Sequence, residues 1–140
     1  NSAIDAGSWT RIDDVPATSS ADYVKQTANN TSSYLEFTFT DTAEPCINAV
    51  GARLAYHAAG STANKGKTSI FNGAAENIVY SGDMSVTTLS YKRAMVSAGG
   101  GAWTSALVNA LVARVGYTSD RNPNPYWDAL LLEYDVPIEY

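Results

Sequence analysis

From Ser33 to Thr40 the chain reads SYLEFTFT, with Leu35, Phe37 and Phe39 on one side and Glu36, Thr38 and Thr40 on the other. A period of two belongs to an extended strand with one buried face, and a helix cannot keep such a pattern on one side. The rhythm returns from Ile47 to Ala59, where Ala52, Leu54, Tyr56 and Ala58 oppose Arg53, Ala55 and His57. Gly51 inside that run marks a bend or bulge. Further strands are expected at residues 21–26, at 68–73 and 77–83 as a hairpin, at 85–96, at 112–118 and at 126–136. The last run carries apolar residues on both faces, which predicts a central strand covered on both sides.

One stretch departs from this rhythm. Gly99, Gly100 and Gly101 release the chain from the strand before them, and residues 104–111 take helical spacing. Thr104 is placed to cap the helix, and Trp103 with Val108 is spaced as a hydrophobic staple across its start. Leu107 and Leu111 stack one turn apart. Two turns are too short to stand alone in water, so packing must hold them. Trp103 and Leu107 are therefore expected as buried plugs at one end of a sandwich. Seven or eight short strands with one short helix predict an all-β fold, an antiparallel β-sandwich of jelly-roll type. Residues 1–20 form an extended N-terminal arm and residues 21–140 a single sandwich domain. In the arm Trp9 and Ile12 are large apolar anchors and Pro16 breaks any regular element, so the pair is read as docking onto another subunit, with its own sandwich as the alternative.

Charge narrows the partners. Nine Lys+Arg against fourteen Asp+Glu give a net charge of −5 without a basic run, a field that repels a phosphate backbone. No nucleic acid is expected, and no apolar run approaches the ~20 residues that span a bilayer. The lone Cys46 has no internal disulfide partner and is expected as a small buried side chain.

Chemistry-bearing motifs are sparse. His57 is the single histidine, with no Ser or Cys set beside it by any known motif. The carboxylates at Asp13, Asp14, Glu36, Asp41, Asp83, Asp128, Glu133 and Asp135 show no paired spacing. Asp120, Asn122, Asn124 and Asp128 alternate oxygen ligands as a Ca²⁺ loop begins, but Pro125 stands where the turn glycine belongs and Leu131 where the closing Glu belongs. No metal and no cofactor are expected. The same loop offers Tyr126 and Trp127 beside Asn122 and Asn124, a set that could stack on and hydrogen-bond a glycan.

Trp9, ADYVKQ (21–26), YLEFTFTD (34–41), GAWTSALVNALVARVGYT (101–118) and LLLEYDV (130–136) together resemble a β-sandwich module of tailed-bacteriophage virion proteins. In that module a short helix led by Trp-Thr runs into a strand of Arg-Val-Gly type. The resemblance spans residues 9–136 and brings no catalytic residues. It implies a non-enzymatic virion structural protein, a head decoration (cement) protein or a tail or fibre surface module that packs as an oligomer. Its partners would be copies of itself and other virion structural proteins, at the virion or extracellular surface. The alternative is a carbohydrate-binding, adhesin-type sandwich with surface glycans as ligands.

Overall fold

A computed structural model describes residues 24–25, 34–58, 65–118 and 125–137. Eight strands are present: β1 (Val24–Lys25), β2 (Tyr34–Thr38), β3 (Ala49–Ala58), β4 (Lys65–Phe71), β5 (Glu76–Asp83), β6 (Ser90–Val96), β7 (Val112–Tyr117) and β8 (Pro125–Asp135). They form two antiparallel four-stranded sheets in the orders β1-β8-β3-β6 and β2-β7-β4-β5. Each sheet interleaves early and late strands, and successive strands from β1 to β4 alternate one by one between the sheets. That is the double Greek key of a jelly roll. The all-β sandwich expected from the alternating runs is the fold that forms.

The core lies between the sheets. Val50, Leu54 and Trp127 from one sheet meet Ile70, Ala113 and Val115 from the other, all fully buried. β8 lies between β1 and β3, and residues 127–130 are buried on both faces, as its apolar character implied. Two strand starts differ from expectation. β4 begins three residues before Thr68, at Lys65, and β6 begins at Ser90, because residues 85–89 instead form the approach in which Val86 O accepts from Ala58 N.

The helix α1 (Ser105–Asn109) joins β6 in one sheet to β7 in the other. Thr104 caps it, its hydroxyl accepting from Leu107 N at 3.2 Å. A Thr104→Ala change should lower stability by about 1 kcal/mol, read by urea denaturation. Val108 and Leu111 are the buried anchors, at one-turn spacing, while Trp103 is half-buried against the same core and bridges Ile47. Leu107 is not a plug. It is 37% exposed, because the stripe facing the core runs through 108 and 111 and leaves 107 about 100° around the helix. Cys46 likewise is exposed rather than buried, lying in the segment before the Ile47 bridge. Trp9 and Ile12, and with them the proposed arm, lie outside the described residues, as do Asn122 and Asn124.

Candidate functional site

The outer face of the β2-β7-β4-β5 sheet carries a graded set of polar side chains in adjacent rows. Register places Tyr34 opposite Gly116 and Gly116 opposite Lys67, while the next outward row is Glu36, Arg114, Ser69. Because outward residues recur every second position, these six share one face. Gly116 has no side chain, so a gap opens between the Tyr34 ring and the Lys67 stem. A pocket of about 100 Å³ lies there, with Ser69, Glu76 and Arg114 among its walls.

Ion pairs fix the walls. Arg114 Nε donates to Glu36 Oε1 at 2.7 Å, and Arg114 Nη1 stands 3.7 Å from Glu76 Oε1. Ser69 Oγ donates to Glu76 Oε1 at 3.2 Å, and Lys67 Nζ pairs with Glu76 Oε2. The Arg114 guanidinium also lies 4.2 Å from the Phe71 ring centroid and 5.1 Å from that of Tyr34. The Lys67 hydrogen bond holds the Glu76 carboxyl below its ordinary range, and the bond to Glu36 raises Arg114 further. The cluster pairs two cationic side chains with two carboxylates.

A second cluster sits on the outer side of the other sheet. Between Ala55 and Tyr56 the β3–β8 register shifts: Ala55 faces Ala129, but Tyr56 faces Trp127, leaving Asp128 as an extra residue. This bulge turns Asp128 toward His57, whose Nδ1 lies 2.8 Å from Asp128 Oδ2. Both are buried, at 7% and 1% exposure, and Tyr126 packs edge-on against the imidazole at 4.7 Å between centroids. Asp128 Oδ1 meets no hydrogen-bond donor among the described residues. Burial pushes the Asp128 carboxyl up to about 6, with the histidine pulling the other way. The Asp128 carboxyl can therefore bind or release a proton near pH 6.

Trp127 cannot serve the glycan set read from the sequence, and its partners Asn122 and Asn124 lie outside the described residues. Trp127 is fully buried, and its Nε1 donates to Thr68 Oγ1 at 3.0 Å, so its ring offers no stacking surface. The bulge explains this. With Leu130 facing the core, strict alternation would turn residue 127 outward, and the extra residue at 128 reverses it. Tyr126 is half-buried against His57. The charged face built from Glu36, Lys67, Glu76 and Arg114 went unread because its members come from four strands and meet only through sheet register. Only Glu36 and Arg114 lay in expected strands, at alternating polar positions, while Lys67 and Glu76 fell just before the runs expected at 68–73 and 77–83.

Among the described residues no three His, Cys, Asp or Glu side chains converge as a metal site, and no helix is long and apolar enough to cross a membrane. No protein-family model matches the chain, and neither does any curated protein.

Proposed function

We propose that the chain is a non-enzymatic structural module of a virion surface, a head decoration protein or a tail or fibre module, that packs against copies of itself. A jelly roll makes this role available, since capsid and lectin domains share the architecture, but fold alone does not assign function. The observation that carries the reading is the outer face of the β1-β8-β3-β6 sheet. Leu89 covers Ala55 and Ala129 at its centre, while Tyr91 and Met95 stand out from the edge strand β6 at 53% and 65% exposure. Apolar side chains that large and that exposed on one strand mark a packing surface.

The charges on this face suit a second copy. Glu133 lies 3.5 Å from Arg53 Nε, and Arg93 Nη2 approaches it to 2.8 Å without hydrogen-bond alignment. A two-fold axis along β3, between face-to-face copies, lays β6 of one over β8 of the other. Tyr91 and Met95 then meet the half-buried Leu131 of the partner, and Arg93 reaches the partner's Glu133. Arg93 thus has an acceptor in either state.

Sedimentation velocity of the intact chain tests this. An oligomer at micromolar concentration is expected, and Tyr91→Glu with Met95→Glu should reduce it to monomers while leaving the circular dichroism spectrum unchanged. A monomeric parent, or an assembly indifferent to both substitutions, would overturn the reading. Deleting residues 1–16 in the same assay separates the contribution of Trp9 and Ile12 from that of the sheet face.

A further inference from the structure

We propose that the gap over Gly116, on the opposite sheet from the packing face, binds a single neutral pyranose ring of a glycan. Three features of the site converge on that chemistry. The first is shape. Gly116 leaves main chain as a floor between Tyr34 and Lys67, and the pocket of about 100 Å³ admits the edge of one ring rather than a long chain. The second is an apolar wall. Tyr34 is 41% exposed on the same face, with its ring available to the C–H side of a sugar.

The third is the polar lining. A sugar presents neighbouring hydroxyls, each able to donate and accept. Ionised Glu76 offers acceptor sites beyond those used by Ser69 and Lys67, and the Lys67 ammonium carries three donors, of which Glu76 takes one. Glu36 stands behind the lining, accepting from Arg114 Nε through one carboxylate oxygen and so holding that wall in place. These groups are held by one another on rigid strands, so a ligand meets them already ordered.

Charge selects the class of ligand. Two cations and two carboxylates cancel within the cluster, so a charged ligand must displace an existing ion pair, whereas a hydroxyl can add to it. The net charge of −5 further disfavours an anionic sugar or nucleic acid. An extended peptide would seek a sheet edge rather than the centre of a face. A plain surface ion-pair ladder accounts for the charges, but such pairs contribute little, and the ladder needs neither the gap nor the exposed ring beside it.

Saturation-transfer NMR and calorimetry with the methyl glycosides of glucose, galactose, mannose and N-acetylglucosamine test the proposal, with N-acetylneuraminic acid as the charged comparator. At least one neutral glycoside should bind, with signal strongest on its C–H face. Tyr34→Ala and Glu76→Gln should each weaken it about tenfold, the effect of one lost ring contact or charge-assisted bond. Cys46→Ser, outside both the pocket and the packing face, should bind as the parent does. No binding by any neutral glycoside, binding by N-acetylneuraminic acid alone, or unchanged binding in Tyr34→Ala and Glu76→Gln would each overturn it. Assembly mass is read separately, so failure here leaves the packing role standing.

Discussion

Replacing Trp127 by Ala is expected to remove most of the stability of the fold. Trp127 is the largest fully buried side chain among the described residues, and its indole spans the two sheets: it belongs to β8, and its Nε1 donates to Thr68 on β4. Emptying a core aromatic site costs about 3–5 kcal/mol against a whole-domain stability of ~5–15 kcal/mol. The Thr68 hydroxyl, itself fully buried, would lose the donor it accepts from, adding about 1–3 kcal/mol. The neighbourhood has little room to collapse around the hole in a useful way, because it is already shaped to the ring. At Gly66 even a methyl group would collide with Met84 Sδ and stand 3.2 Å from Trp127 Cζ2.

Two milder variants separate packing from the hydrogen bond. Trp127→Phe keeps an aromatic ring but orphans Thr68, and adding Thr68→Val removes the orphan. The double variant should therefore recover part of what Trp127→Phe loses, as a double-mutant cycle in urea would show. A Trp127→Ala chain with near-parental stability would mean that the indole is not the cross-sheet tie the geometry makes it.

What the sequence disclosed and what it withheld divide along local and non-local lines. The alternation at residues 34–40 and 47–58 names its own buried face, because the strand period and the side-chain directions are properties of the segment alone. The Thr104 cap was legible for the same reason: donor and acceptor lie three residues apart. The sheet order could be approached only as a class. Every pairing within β1-β8-β3-β6 joins distant stretches, and nothing in residues 49–58 announces that 125–135 will lie beside them. The bulge at Asp128 was the costliest omission. No glycine or turn residue marks it, yet this one inserted residue sends Trp127 inward and brings together His57 and Asp128, 71 positions apart. Trp127 was read as a glycan contact from its place beside the 120–125 loop, and the bulge instead turns it into the core. Cys46 was judged by residue type, and position decided otherwise.

The bulge also places a carboxylate where its charge is disfavoured, and that has a measurable sign. Burial raises Asp128 from its ordinary 3.8 to about 6, so between those values the folded chain holds a proton that the unfolded chain has released. Stability should therefore fall as pH rises through that window, by about 3 kcal/mol at 1.36 kcal/mol per unit, and this contribution should stay flat above pH 6. Asp128→Asn keeps the shape and can still hydrogen-bond the His57 ring, but it has no proton to lose. The variant should match the parent near pH 4 and exceed it near pH 7, with the difference growing between. Loss of the charge-assisted bond to His57 will offset part of the gain, since such bonds contribute ~1.5–3 kcal/mol. Urea denaturation of both chains from pH 4 to 7.5, taken as the difference between them, isolates Asp128 together with its coupling to His57. If the parent instead gains on the variant as pH rises, the imidazole stabilises the ionised carboxylate more than burial penalises it. Asp128 would then be a settled half of an ion pair, and its unpaired Oδ1 no source of strain.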